Sequence, residues 1–88
     1  MIKTNVSVLA VKNFKGEKKL TDYYLILPNG ERVYAFSKAY TDNTYKMCKG
    51  GIRINDLLTK RTQDSGIMSL VKRMKFMLPY LKEEYGVA

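Results

Sequence analysis

The chain has no histidine and no tryptophan, and Cys48 is the single cysteine among its 88 residues. Without histidine it lacks the commonest general base of enzymes, and a thiol with no histidine partner is a poor candidate nucleophile. One cysteine allows no intrachain disulfide and gives no zinc-ligand spacing, which is typical of proteins of the reducing cytoplasm. We therefore expect a protein that is not an enzyme and that has no catalytic residues, no cofactor and no metal site.

Acidic residues are also scarce, with 8 Asp and Glu against 16 Lys and Arg and a formal net charge of +8. Such an excess favours nucleic acid, an anionic membrane or an acidic protein as partner, unless the charge serves only solubility. No apolar run is long enough to span a bilayer, and the N-terminal stretch lacks the cleavage pattern of a signal peptide. A hydrophobic content of 45% suits one domain over residues 1–88 with a modest core.

The most informative stretch runs from Leu20 to Tyr40 and has the pattern of a β-hairpin. Asn29 and Gly30 suit a two-residue type I′ turn, because both tolerate a positive φ. With that loop, Leu25 lies opposite Tyr34, Tyr23 opposite Phe36, and Leu27 opposite Arg32. Side chains of a strand alternate between faces, so the hairpin divides into two sets. One set is compact and apolar, as a core face should be, and comprises Tyr24, Ile26, Val33 and Ala35. The other mixes aromatic and basic residues and comprises Tyr23, Leu25, Leu27, Arg32, Tyr34, Phe36 and Lys38.

The remaining pattern predicts strands at about 5–13, 20–28, 31–39 and 47–54, then a helix at about 65–85. Apolar residues recur along that helix at helical spacing: Ile67, Leu70, Val71, Met74, Met77, Leu78, Leu81 and Tyr85. Phe76 and Tyr80 point away from this stripe and are a candidate subunit contact. The sequence thus predicts an α+β domain, a four-stranded antiparallel meander with a C-terminal helix packed on one face.

The aromatic and basic face predicts a binding surface for single-stranded nucleic acid. Cations follow the phosphates, and exposed rings stack on unpaired bases. Aromatics also favour strands for packing reasons, but a buried face should not carry Arg32 and Lys38. The predicted contact residues are four rings and six cations: Phe14, Tyr23, Tyr34 and Phe36, with Lys12, Lys15, Arg32, Lys38, Lys49 and Arg53. The pattern does not distinguish DNA from RNA.

Two short motifs also resemble a known family. Val11-Lys12-Asn13-Phe14-Lys15-Gly16 resembles the Val-Arg-x-Phe-Lys-Gly that ends the first strand in the positive-cofactor-four family. Lys49-Gly50-Gly51-Ile52-Arg53-Ile54 resembles the Lys-Gly-Ile-x-Leu that precedes its helix. These proteins are single-stranded-DNA-binding transcriptional coactivators with bacterial and phage relatives. The chain departs from the family in its additional glycine at Gly50-Gly51, and Leu25 falls near the family's second-strand tryptophan.

The resemblance implies a homodimer that binds single-stranded DNA in the cytoplasm of a bacterium or a phage-infected cell. Lys12, Phe14 and Lys15 would be contact residues, and Lys49 would lie near the backbone path. The alternative is a small protein-binding inhibitor or adaptor that uses the same aromatic face, since Tyr and Arg also dominate protein interfaces. We expect no membrane partner, because so small a domain needs the helix stripe for its own core, and no small-molecule substrate.

Overall fold

The computed structural model describes residues 4–39, 42–59 and 65–86. In chain order the elements are β1 (Ser7–Lys15), β2 (Lys18–Ile26), β3 (Arg32–Ala39), α1 (Asp42–Cys48), β4 (Ile52–Arg53), α2 (Ile54–Thr59) and α3 (Ser65–Tyr85). All strand pairs are antiparallel, and the sheet order is β3-β2-β1-β4, so the chain has the predicted four-stranded sheet followed by a C-terminal helix. The α+β fold class is therefore confirmed.

The fourth strand is much shorter than the predicted 47–54. Residues 47 and 48 are the end of helix α1, and only Ile52 and Arg53 pair with β1. Gly50 and Gly51 separate the two elements with φ angles of 83° and 93°. A glycine in this left-handed region ends a helix and interrupts a strand, which explains both differences.

The turn between β2 and β3 has three residues, Pro28 to Gly30, so the predicted type I′ turn is wrong. Gly30 N donates to Leu27 O at 2.8 Å, and Leu27 N donates to Glu31 O at 2.9 Å. Gly30 has a φ of 85°, whereas Asn29 does not take a positive φ. Pro28 fixes its own φ at a value that suits the second position of a type I turn, and Asn29 Oδ1 accepts from Glu31 N at 2.9 Å. A type I turn followed by a left-handed glycine is the common three-residue hairpin loop.

A β-bulge in β3 changes which side chains share a face. Tyr23 pairs with Phe36, as predicted, but the adjacent Tyr24 pairs with Tyr34, so Ala35 is left without a partner in β2. Beyond the bulge, Leu25 faces Val33 and Arg32 faces Ile26, and the predicted pairs Leu25–Tyr34 and Leu27–Arg32 are wrong. The extra residue reverses the alternation of β3 at this point.

The core lies on the sheet face that was predicted to be open. Tyr23, Leu25, Leu27 and Phe36 are buried, whereas the four residues of the predicted core face are only half-buried. Strand β1 determines which face is buried, because its apolar residues Val8 and Ala10, together with Val6 just before the strand, are all buried on this face. Val8 pairs with Leu25 and Ala10 with Tyr23. The Tyr23 and Phe36 rings pack with centroids 5.0 Å apart.

Helix α3 covers this core face with the predicted stripe. Ile67, Leu70, Met74, Leu78 and Leu81 are buried, and Val71 and Met77 pack partly against them. Tyr85 is the exception, being 41% exposed at the end of the helix. In the described part of the chain, no helix combines the length and the apolar character needed to cross a membrane.

Candidate nucleic-acid interface

The face of the sheet opposite the core is called the open face. Its members alternate with the core residues of each strand and pair with one another across the sheet. They are Ser7, Leu9, Val11, Asn13 and Lys15 of β1; Lys18, Leu20, Asp22, Tyr24 and Ile26 of β2; Arg32, Tyr34, Ser37 and Ala39 of β3; and Arg53 of β4. Helix α3 lies on the other side of the sheet, so it does not cover these residues.

Tyr34 is the exposed aromatic ring of the open face. It is 54% exposed, and the half-buried Tyr24 packs edge-on against it with centroids 5.8 Å apart and planes at 75°. The Tyr34 hydroxyl lies 2.7 Å from Ser37 Oγ. Contacts at the ring and at the hydroxyl therefore restrict the orientation of a side chain that is still more than half exposed. Such a ring can accept a stacked base with little further ordering.

A buried carboxylate holds Ser37 in place. Asp22 is 8% exposed and accepts a hydrogen bond from Asn13 Nδ2 at 2.8 Å and another from Ser37 Oγ. Ser37 has one hydroxyl proton, which it donates to Asp22, so Tyr34 is the donor to Ser37 Oγ. The chain Tyr34–Ser37–Asp22 joins the exposed ring to a buried anion, and charge-assisted bonds of this kind are the stronger ones.

Cations lie at both ends of the open face. Arg32, Ile26, Ser7 and Arg53 form one row across the four strands, so the two arginines stand at opposite edges. At neighbouring-strand spacings their Cα atoms are about 14 Å apart. Lys15 and Lys18 pair at the far end, about 26 Å along the strands from this row. Tyr34 and Tyr24 are in the row next to the arginines.

The predicted contact residues divide into four groups. Four of them (Lys15, Arg32, Tyr34 and Arg53) are exposed on the open face. Three others (Lys12, Phe14 and Lys38) lie on the helix side of the sheet, near the β1–β2 turn. Lys49 is exposed between α1 and β4.

Tyr23 and Phe36 form the fourth group, and their prediction as exposed stacking rings is wrong. Tyr23 is 1% exposed and Phe36 is 9% exposed. Both are on the core side because the bulge at Ala35 turns Phe36 away from the face of Tyr34, and because Ala10 of β1 pairs with Tyr23 on the buried face. Arg73 of α3 covers the Phe36 ring further, with its guanidinium carbon 5.5 Å from the centroid.

The helix side has its own small basic cluster. Phe14 is 62% exposed, and Lys12 Nζ lies 4.7 Å from the centroid of the Tyr45 ring. Lys12 and Lys38 flank Thr21 in one row of the sheet, and Thr21 Oγ1 is buried without a hydrogen-bond partner. This cluster and Tyr34 lie on opposite faces of the sheet. The two surfaces therefore cannot contact the same short segment of a nucleic-acid strand.

Several residues of the open face were not predicted. Tyr24 was assigned to the core, and Asp22, Asn13 and Ser37 had no assigned role, because their contact depends on pairing across three strands. Lys18 was expected to add charge at the edge of the aromatic and basic face, and it pairs with Lys15 next to the turn. The described residues contain no group of three potential metal ligands, and Cys48 is a buried thiol.

Comparison of the chain with protein families, characterised proteins and solved structures gave no match.

Proposed function

We propose that the chain binds single-stranded DNA without catalysis, through the open face of its sheet. The observation that carries this proposal is Tyr34, an exposed ring on a sheet face that α3 leaves uncovered, restrained by Tyr24 and Ser37. An unpaired base stacks on such a ring for about 1–3 kcal/mol, whatever its sequence. A base inside a duplex is already stacked on its neighbours, so the preference is for single strands.

Charge supplies the second part of the interaction. The open face has two regions of positive potential that can contact the phosphates of the DNA strand. Arg32 and Arg53 form one, Lys15 and Lys18 form the other, and Tyr34 lies between them. The net charge of +8 strengthens long-range attraction to a polyanion. Binding by this mechanism releases counterions and therefore weakens steeply as salt is added.

The role that follows is to cover or hold unpaired strands during replication, recombination or transcription. The motifs that resemble the positive-cofactor-four family support this role. Two of the four rings predicted to stack on bases, Tyr23 and Phe36, are buried and do not contribute to it. A DNA strand longer than the open face could continue round the β1–β2 turn and contact Phe14, Lys12 and Lys38 on the helix side of the sheet. We place the activity in the cytoplasm, where a thiol such as Cys48 remains reduced.

A protein-binding inhibitor or adaptor is the second candidate, and the apolar share of the open face favours it. Leu9, Leu20 and Ile26 are half-buried there, and Val11 is 37% exposed. Together with Tyr34 and Arg32 they have the composition of a protein interface, with an aromatic anchor and an arginine at its edge.

The test is a titration of the protein into fluorescent oligo-dT and into its duplex counterpart, each at low and moderate salt. We expect tighter binding to the single strand, with affinity falling as salt rises. A competing oligo-U strand then compares DNA with RNA. Binding that is insensitive to salt would contradict the electrostatic part of the proposal, and equal affinity for both forms would contradict the stacking part.

Variants of Tyr34 separate the two candidates. Tyr34→Ala should weaken oligo-dT binding about 5- to 150-fold, whereas Tyr34→Phe, which keeps the ring, should retain most of it. Tyr80→Ala is the matched control, because Tyr80 is 50% exposed but lies on the far side of α3. If the wild type does not bind oligo-dT at low salt, the protein-binding function is favoured and a pull-down with Tyr34→Ala as control comes next.

A further inference from the structure

A shallow groove on the surface of α3 has a volume of about 370 Å³ and is lined by four side chains: Ser69, Lys72, Arg73 and Phe76. We call it the α3 groove. Its residues are at positions i, i+3, i+4 and i+7, so they form one patch over two turns of the helix. A volume of this size is at the lower end of the range for small-ligand sites.

The Phe36 ring restrains the arginine of this groove. The guanidinium carbon of Arg73 is 5.5 Å from the centroid of the ring, within the range of a cation–π contact. Phe36 is itself buried in the core, so the surface beneath the guanidinium is held by packing. Arg73 is nevertheless exposed and lines the groove. An arginine restrained in this way loses less conformational entropy when it binds an anion.

The α3 groove has positive charge without a counter-ion of its own. Among the residues that the structure describes, Ser69, Lys72 and Arg73 have no hydrogen-bond or ion-pair partner. At about 100° per residue, Lys72 and Arg73 lie on the two sides of the line that joins Ser69 to Phe76. A hydroxyl, an ammonium and a guanidinium therefore surround the groove on three sides.

A terminal phosphate matches these three donors better than a carboxylate does. A phosphate monoester carries about −1.5 to −2 charges at neutral pH and has three acceptor oxygens. A carboxylate has one charge and a planar pair of oxygens, which one arginine can satisfy by itself. A phosphodiester inside a nucleic-acid strand also carries a single charge. The donor set therefore favours a ligand with an unesterified phosphate end.

Phe76 adds a flat apolar surface next to the position of the phosphate. Its side chain is 82% exposed and follows Lys72 and Arg73 by about one helical turn. A nucleotide has a phosphate and a base attached to one sugar, so its base reaches the ring when its phosphate lies between the two cations. Aromatic rings stack on any base, because every base has a π-face.

We propose that the α3 groove binds a free nucleotide, with its terminal phosphate on the three donors and its base stacked on Phe76. The groove and the open face are on opposite sides of the sheet, since α3 covers the core face. Nucleotide binding at α3 therefore does not depend on DNA binding at the open face.

Two observations favour a free nucleotide over a nucleic-acid strand. The groove has the volume of a small-ligand site and is confined to two turns of one helix. The exposed carboxylates of Glu83 and Glu84 follow Phe76 along α3. They repel a phosphate chain that continues beyond the ring in this direction, whereas a single nucleotide ends before it reaches them.

The experiment is an NMR titration of isotope-labelled protein with AMP. Changes in amide chemical shift locate the ligand, and their concentration dependence gives the dissociation constant. We expect shifts at residues 69–76 and none at Tyr34. Adenosine, which lacks the phosphate, and inorganic phosphate, which lacks the base, should each bind about tenfold more weakly than AMP or worse. Wild-type amides at 69–76 that do not shift at about 10 mM AMP would overturn the proposal, as would shifts centred on the open face.

Two variants test the two parts of the ligand separately. Lys72→Ala removes a charged donor and should weaken AMP binding about tenfold while leaving adenosine unaffected. Phe76→Leu removes the ring and should weaken AMP binding about fivefold or more while leaving inorganic phosphate unaffected. Lys75→Ala is the matched control, because Lys75 is an exposed cation of the same helix that does not line the groove. Arg73 is left unchanged because it also covers Phe36.

Other ligands of the groove give distinct results. A tetraglutamate peptide, or an oligo-dT strand with a 5′-phosphate, that shifts the amides of 69–76 at a lower concentration than AMP would overturn the assignment to a free nucleotide. A Lys75→Ala variant that weakens AMP as much as Lys72→Ala would also overturn it, since overall charge would then account for binding. Oligo-dT with a 5′-hydroxyl tests the open face separately, so a protein that binds AMP at 69–76 but not this strand supports the nucleotide site and contradicts only the proposed DNA binding.

Discussion

Tyr34 and Phe36 are two residues apart on β3 and lie on opposite faces of the sheet. Tyr34 pairs with Tyr24 and is 54% exposed, whereas Phe36 pairs with Tyr23 and is 9% exposed. In a regular strand both rings would be on one face. The unpaired Ala35 between them separates a ring available for binding from a ring that belongs to the core.

Truncation of the two rings should therefore affect different properties. Phe36→Ala removes a buried side chain and should lower the free energy of unfolding by about 3–5 kcal/mol. Tyr34→Ala should change it by no more than about 1 kcal/mol, because the lost contacts are at the surface. Urea denaturation followed by circular dichroism measures both. Equal losses of stability in the two variants would contradict the assignment of faces.

The arginines at the two edges of the open face should contribute to the salt dependence of binding. If Arg32 and Arg53 each neutralise one phosphate, Arg32→Ala or Arg53→Ala should reduce the slope of log K against log salt by about 0.7. Lys75→Ala, which removes an exposed cation of α3 that is not on the open face, is the control and should leave the slope unchanged. The measurement is oligo-dT affinity at four or more salt concentrations. If the slope is unchanged in both arginine variants, the DNA strand binds to a different surface of the protein.

Replacement of the buried carboxylate should affect both stability and binding. Asp22→Ala leaves Asn13 Nδ2 and Ser37 Oγ without their acceptor, which should cost about 1–3 kcal/mol of stability. It also frees Ser37, so the Tyr34 ring loses part of its restraint and oligo-dT affinity should fall. Asp22→Asn keeps one acceptor oxygen and should have a smaller effect on both. Folded Asp22→Ala protein that binds with wild-type affinity would show that the restraint on Tyr34 is unimportant.

Tyr85 should ionise at a higher pH than an ordinary tyrosine. The part of its side chain that is withdrawn from water raises the pKa of its hydroxyl, and nearby Tyr80, Glu31 and Glu84 raise it further. Because the pKa is raised in the folded state, the stability that Tyr85 contributes is present below about pH 10 and is lost as pH rises through the raised value.

Absorbance at 295 nm follows this ionisation. The difference between alkaline titrations of the wild type and Tyr85→Phe should show one tyrosine with a midpoint above 10. The stability of Tyr85→Phe should also fall less steeply with pH in that range. A difference curve with its midpoint at or below 10 would mean that neither withdrawal from water nor the neighbouring Tyr80, Glu31 and Glu84 raises the pKa of this hydroxyl in solution.

Local pattern was enough to predict the order of the main elements. The alternation in β1 to β3 and the 3.6-residue period of α3 are properties of consecutive residues, and the helix bounds 65–85 agree with Ser65–Tyr85. The exposure of Phe76 and Tyr80 also followed from the sequence, because helical geometry alone assigns them to the side opposite the stripe. The basic character of the surface followed from composition.

The faces of the sheet were decided by the tertiary structure. The hairpin alone offers two half-apolar sides, and only the alignment of Val8 with Leu25 and Ala10 with Tyr23 selects the one that α3 covers. The bulge at Ala35 depends on how β3 pairs with β2, which the sequence pattern does not encode. The three-residue turn, in contrast, follows from local residues, with Pro28 at the second position of a type I turn and Gly30 at a positive φ. A shift of one residue moves every later side chain to the opposite face, so the identity of the binding residues depended on these long-range contacts.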